Sequence, residues 1–247
     1  MFRYPSLLNE RELALVVATD ERKYLVTEKF HGSNFQFTVD MIDDRLVIEA
    51  FRRNGKIHEN DTFYGWREIR EKYRGVFETM YHLIGHKFGI FGELIGGFYP
   101  GVKRNPSALR VQNFIHYAPT NEFVVFDMYD AGTNRFWSFD AMYRMAKWAG
   151  MHVVEPLHRN MTLAEICEID HENQTPGFPV NVLKLPEAKD NFIEGYVLRL
   201  EEDDEAHTMY KRRTKRYLYR KPSKNPDTEF KEAIVEEITE EELCKVH

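Results

Sequence analysis

Residues 24–55 read YLVTEKFHGSNFQFTVDMIDDRLVIEAFRRNG. From Asn34 to Asp40, apolar Phe35, Phe37 and Val39 alternate with polar Gln36, Thr38 and Asp40. A period of two sends the two sets to opposite faces, so this segment is a half-buried strand. Tyr24 to Lys29 reads as a strand before it, with a break at His31-Gly32. Leu46 to Arg53 reads as a third strand, closed by the turn pair Asn54-Gly55.

Beyond this stretch, Trp66 to Leu83 carries Trp66, Ile69, Tyr73, Val76, Phe77, Met80 and Leu83 at helical spacing. Lys87 to Leu94, Phe123 to Tyr129 and Gly195 to Leu200 read as strands. Phe139 to Ala149, Met161 to Ile169 and the Glu-rich Thr228 to Glu242 read as helices. Strands and helices mix without regular strand–helix–strand alternation. The expected class is therefore α+β, with largely antiparallel sheets and flanking helices. Neither G-x-G-x-x-G nor G-x-x-x-x-G-K-[ST] occurs, so the two common phosphate-loop architectures have no support.

The chain has 247 residues, 43% of them apolar and 14% aromatic, which is ample for a core and excludes global disorder. No apolar run approaches the roughly 20 residues that span a bilayer, and no secretory signal is visible, so no membrane partner is expected. The two cysteines, Cys167 and Cys244, form no metal spacing and point to a reducing, intracellular, cytoplasmic setting. A net charge of −6 argues against a polyanion partner, but the charge is segregated. Bases collect at Lys211, Arg212, Arg213, Lys215, Arg216, Arg220, Lys221 and Lys224. Acids collect from Glu201 to Glu205 and from Glu236 to Glu242. Taken alone, such a run is better read as a solvated surface.

Chemistry centres on Thr27-Glu28-Lys29-Phe30-His31-Gly32-Ser33-Asn34. A lysine between strands becomes a nucleophile only when desolvated or set beside other cations; otherwise it is a surface lysine ahead of a turn. Gly32 lets backbone approach a ligand closely. In order come Arg52-Arg53-Asn54-Gly55, Phe91-Gly92-Glu93-Leu94 beside Gly96-Gly97, Phe126-Asp127, Glu194-Gly195-Tyr196-Val197-Leu198-Arg199, and Lys211-Arg212-Arg213. Singly, each has a structural explanation: Glu93 and Asp127 as salt-bridged strand ends, Phe126 as a core ring, Arg53 as a turn residue.

Together and in this order the motifs resemble the lysine nucleotidyltransferase superfamily of ATP-dependent ligases and capping enzymes. Within it they are most similar to phage nick-sealing and trypanosome RNA-editing RNA ligases, whose pattern is K-x-H-G-x-N, R-x-G, F-G-E, F-D, E-G-x-V and K-x-[KR]. DNA ligases and capping enzymes usually carry Asp where His31 stands, so His31 with Asn34 favours RNA. The resemblance runs from Glu28 to Tyr217.

The resemblance implies an adenylyltransferase domain over residues 1–225, unrelated to ATP-grasp ligases, followed by an acidic helix or domain remnant over 226–247. It implies a covalent AMP adduct on Lys29, transfer of AMP to an RNA 5′-phosphate, and joining to a 3′-hydroxyl, with a nicked duplex as substrate. His31, Arg53, Glu93, Glu194, Lys211 and Arg213 complete the implied catalytic set. Glu28, Asn34, Phe126, Val197 and Arg199 join Lys29, Arg53, Glu93, Lys211 and Arg213 around ATP. Phe126 and Val197 would face adenine, Glu93 the ribose, and Arg199 the triphosphate. Glu194 would sit at the metal, Mg²⁺ with Mn²⁺ as an alternative.

The family usually adds a C-terminal domain, whereas this sequence ends at His247, which suits an excised catalytic domain or a short ligase. The rivals are an ATP-dependent DNA ligase, a GTP-dependent capping enzyme, and a non-catalytic RNA-binding protein built on the Lys211 to Lys224 stripe.

Overall fold

The computed structural model describes residues 1–202 and 207–220. They form two compact units. The first comprises Met1–Tyr4, Phe30–Val154 and Pro176–Asn191; the second comprises Pro5–Lys29, Glu155–Thr175 and the described residues from Phe192 onward. The acids Asp203, Asp204 and Glu205, the bases Lys221 and Lys224, and the expected 226–247 segment with its helix lie outside the described residues.

Helix α1 (Glu10–Val16) starts at a capping box. Asn9 accepts from the Arg11 and Glu12 amides, and the Glu12 carboxylate accepts from the Asn9 amide. Strand β1 (Tyr24–Lys29) follows, and both elements belong to the second unit.

The first unit then runs through β2 (Ser33–Ile42), β3 (Arg45–Arg52), β4 (Gly55–Ile57), α2 (Trp66–Ile84), β5 (Phe88–Gly96), β6 (Asn121–Asp130), β7 (Arg135–Phe136), α3 (Phe139–Trp148) and β8 (His152–Val153). Its sheet has the order β4-β3-β2-β5-β6-β7, antiparallel throughout, with β8 joining β6 in parallel. Asp43 and Asp44 join β2 to β3 with φ of 50° and 58°, the backbone that a two-residue hairpin with native twist requires. The second hairpin turns on Arg53-Asn54, with Arg52 opposite Gly55. The alternation in β2 does what it predicts: Phe35, Phe37 and Val39 are buried. Phe37 lies 5.2 Å, centroid to centroid, from Phe77 of α2 and 5.5 Å from Phe123 of β6. Trp66, Ile69, Tyr73 and Met80 extend that buried stripe of α2.

The second unit adds β9 (Pro156–Met161), α4 (Leu163–Cys167), β10 (Gly195–Leu200), β11 (Met209–Arg213) and α5 (Lys215–Arg220). Its four strands lie in the order β11-β10-β1-β9, all antiparallel. Leu13, Leu163 and Ile166 of the helices pack with Tyr24 and Val26 of β1, Tyr196, Leu198 and Leu200 of β10, and Tyr210 of β11.

One expectation needs correction, and one stretch that the sequence left unassigned gains an element. The helix expected from Met161 to Ile169 spans only Leu163–Cys167, because Met161 completes β9 and Thr162 with Glu165 forms the capping box that starts α4. The start of the basic run, Lys211-Arg212-Arg213, is part of a strand. Among the described residues no helix is long and apolar enough to cross a membrane.

Candidate active site

In the second unit, strand alternation sorts the candidate residues by face. Tyr24, Val26, Tyr196, Leu198 and Tyr210 point into the core. Their chain neighbours therefore occupy the opposite face in three cross-strand rows. These are Lys29, Gly195 and Arg213; Thr27, Val197 and Lys211; Leu25, Arg199 and Met209. Lys29, Val197, Arg199 and Lys211, far apart in sequence, thus share one sheet face. Glu28 does not: it pairs with Tyr196 and lies on the core face, buried.

Lys29 Nζ stands 2.6 Å from Glu194 Oε1, with side chains 21% and 6% exposed. A carboxylate this far from water is costly unless paired, and Lys29 supplies the pairing. Gly195 has to be glycine: its φ is +156°, and a Cβ there would stand 2.1 Å from the Arg212 carbonyl oxygen. The strand can thus turn directly after Glu194, whose own carbonyl accepts from the Thr214 amide at 2.9 Å. Arg199 Nη2 lies 2.7 Å from His207 Nε2.

The other two members of the basic motif have structural partners. Arg212 is 3% exposed and donates to the carbonyls of Ile166 and Cys167 at 2.8 Å and of Ile169 at 3.2 Å, capping the end of α4. Arg213 is held in a fork by Glu10, Nε to Oε1 at 2.7 Å and Nη2 to Oε2 at 3.0 Å. Burial alone would raise the Glu10 carboxyl, but the hydrogen bonds and charge of Arg213 outweigh it and hold Glu10 below the usual range. The hydrogen bond to Glu10 keeps the Arg213 guanidinium above its ordinary value. The sequence motifs did not single out Glu10; the only trace of it is the Asn9-x-x-Glu12 capping pattern that fixes its helix.

In the first unit, Asn34 and Glu93 are directly opposed on β2 and β5, both half-buried. Arg53 is exposed and lies one residue past the Arg52–Phe35 pair, at the end of the row that Asn34 and Glu93 occupy. Between Phe91–Asp127 and Gly92–Val125 the register shifts by one residue, leaving Phe126 as the extra residue of a bulge. That explains a half-exposed ring between buried Val125 and Asp127. Tyr4 supports it: its ring is 5.2 Å from that of Phe126, and its hydroxyl donates to Asp127 Oδ2 at 3.0 Å.

His31 is half-buried, and its amide donates to the Tyr117 hydroxyl at 3.0 Å. The close approach that Gly32 permits is to β5, where a Cβ would meet the Leu94 carbonyl oxygen at 2.2 Å and Glu93 Cγ at 2.9 Å. The glycine thus brings His31 beside the strand that carries Glu93.

In the second unit, Lys29, Arg199 and Lys211 offer positive charge on one sheet face, which suits phosphates. In the first unit, Glu93 with Asn34 offers an acceptor and an amide side by side. Among the described residues no group of three or more His, Cys, Asp or Glu would hold a metal by itself. Glu194 gives one carboxylate, which fits Mg²⁺ when phosphates and water complete its octahedron.

The family model described as RNA ligase matches residues 22–215. RNA-editing ligase 1, mitochondrial, of Trypanosoma brucei brucei is 24% identical over 132 residues, covering 43% of this chain and 28% of that protein. Among solved structures, an RNA ligase mutant of Naegleria gruberi with ATP and Mn has a TM-score of 0.59 at 18% identity, over 87% of this chain and 57% of that one. The same ligase with PPi gives 0.59 at 18%, over 90% and 58%. At such identity the structural likeness speaks to the fold. The chain therefore spans less than three fifths of those structures, and a smaller share of the editing ligase.

Proposed function

The chain belongs to the RNA ligase family, and from that premise we propose that it is the adenylyltransferase core of an ATP-dependent RNA ligase. The observation that carries the proposal is the 2.6 Å pair of Lys29 and Glu194 on a sheet face shared with Val197, Arg199 and Lys211.

Lys29 Nζ attacks the α-phosphorus of ATP. An N–P bond forms, the bond to the bridging oxygen breaks, and pyrophosphate leaves with the electron pair. Attack requires a neutral amine, so the ammonium proton must leave before the N–P bond forms. A divalent metal at Glu194, Mg²⁺ or Mn²⁺, would take over the carboxylate, favour proton loss to water, and neutralise charge on the phosphoryl oxygens. Lys211, Arg213 and Arg199 bind the triphosphate, Glu93 accepts from the ribose hydroxyls, and Phe126 stacks on adenine with Val197 across from it. His31 assists the lysine step, while Asn34 and Arg53 orient the phosphate and the RNA ends. AMP then passes to an RNA 5′-phosphate, and a 3′-hydroxyl displaces it across a nick. Glu28, buried on the core face of β1 next to Lys29, stays with the residues assigned to ATP. A reducing, intracellular setting suits the buried cysteine Cys167.

A non-catalytic binding stripe from Lys211 to Lys224 is the weaker reading. Arg212 is buried against α4 and Arg213 is forked to Glu10, so two of its bases do not form an open face. Intact mass after incubation with ATP and Mg²⁺ should show one added adenylyl group, and none with GTP. Sealing should be faster when the 3′-hydroxyl strand ends in ribonucleotides than on an all-DNA nick, since ribose pucker and the 2′-hydroxyl distinguish the ends. No adduct would contradict the proposal, and equal sealing rates would point to a DNA ligase.

A further inference from the structure

Glu93 and Glu122 lie on the neighbouring strands β5 and β6, and no Asp or Glu stands between them in a chain of net charge −6. The connecting loop, 97–120, has no helix or strand, and loops of that length within compact folds are usually functional. It is nevertheless firmly built. Gly96 and Gly97 have φ of +88° and +85°, and a Cβ on either would stand 2.1 Å from a carbonyl oxygen, of Thr120 and Leu109 respectively. The Asn121 side chain accepts from the Leu109 amide at 2.9 Å and donates to its carbonyl at 2.7 Å. Tyr99 donates to the Pro186 carbonyl at 2.6 Å, and Tyr117 accepts from the His31 amide at 3.0 Å.

On this frame Lys103 and Arg104 are exposed, and neither joins an ion pair among the described residues. Exposed Arg110 lies over the Phe98 ring, 4.7 Å from its centroid, with its guanidinium donating to the Gln112 and Asn113 carbonyls. Several other lysines and arginines on the surface of this unit meet an acid: Lys56 with Glu49, Arg70 with Glu59 and Glu71, Arg74 with Glu71, Lys72 with Glu122, Lys87 with Asp40. Two adjacent cations without an acid, on a loop held in place by its base, suit a polyanion that runs past the protein.

We propose that the tip of this loop, through Lys103 and Arg104, grips the phosphate backbone of the RNA substrate. The proposal rests on the RNA ligase reading and extends it from the reacting ends to the flanking strand. Cations that neutralise phosphates release counterions, so removing one such cation flattens the log–log salt dependence of binding by about 0.9 on a duplex.

The test compares the full chain with its Lys103→Gln/Arg104→Gln double variant, binding a nicked RNA duplex over a salt series without ATP. Both side chains are exposed, so the fold should tolerate the change. The expected result is a slope shallower by about two, affinity lower by about tenfold at low salt, and unchanged AMP transfer from ATP to the protein. An unchanged slope and affinity would overturn the proposal. So would a matching loss of AMP transfer, which would assign the loop to the triphosphate of ATP. A parent protein that accepts no AMP would sink the ligase reading by itself, while the binding comparison would still decide the loop.

Discussion

Phe126 owes its half-exposed ring to one extra residue in β6, and with it a role that a fully buried core phenylalanine would not have. Stacking on an aromatic face is worth about 1 to 3 kcal/mol per base. Phe126→Ala should therefore raise the ATP concentration for half-maximal adenylylation by about tenfold while the thermal midpoint changes little. If ATP dependence stays the same and the midpoint falls, the ring is a core element. Arg213 gives a second test at this scale, because Glu10 holds its guanidinium in a fork. If Glu10 orients Arg213 for the triphosphate, Glu10→Ala should slow adenylylation in the parent and add nothing in an Arg213→Ala background. Two additive losses would show that Glu10 acts by another route. The side chains of motif residues were legible as types at spacings; their partners were not. Glu10 is 203 positions from Arg213, and nothing local in the sequence announces the fork.

Strand β1 delivers Lys29, and its other end is secured at Asp20. That carboxylate accepts from Arg22 Nε and Nη2, at 2.9 and 2.5 Å, and from the hydroxyl of buried Tyr24 at 2.7 Å. The Arg22 hydrogen bond, only partly opposed by burial, lowers Asp20 from the ordinary 3.8 to about 2. A depressed carboxylate stabilises the fold above its unfolded value and loses that contribution as pH falls through the folded one. Asp20→Asn should thus lower the thermal midpoint at pH 6, with the gap to the parent closing between about pH 4 and pH 2. A gap that stays constant over that range would contradict this role. Elements with a clear period were legible: β2, α2 and β10 stand where alternation or helical spacing puts them. Strand β11 was not, because Met209-Tyr210-Lys211-Arg212-Arg213 places bases on both faces and Arg212 is buried by helix carbonyls instead of by apolar packing. Strand β9 is mostly exposed and polar, so it leaves no alternation to read.

Across the whole molecule, the α+β class and the antiparallel sheets followed from short connections and irregular element order, and they hold. The division into two units did not follow, because the chain crosses between them repeatedly, once between Lys29 and Phe30 within a single motif. The motif that carries the chemistry therefore contributes Lys29 to one unit and His31 with Asn34 to the other. The central claim is that Lys29 takes AMP from ATP and is then finished with covalent work. The most direct measurement compares Lys29→Arg with the parent on two nicked RNA duplexes, one with a plain 5′-phosphate plus ATP and one already adenylylated at that phosphate. Arginine keeps a positive charge for the buried Glu194, so the unit should remain folded, but its guanidinium offers no lone pair. The expected result is complete loss of ATP-dependent joining with measurable sealing of the adenylylated nick. ATP-dependent joining by Lys29→Arg would contradict the covalent mechanism outright.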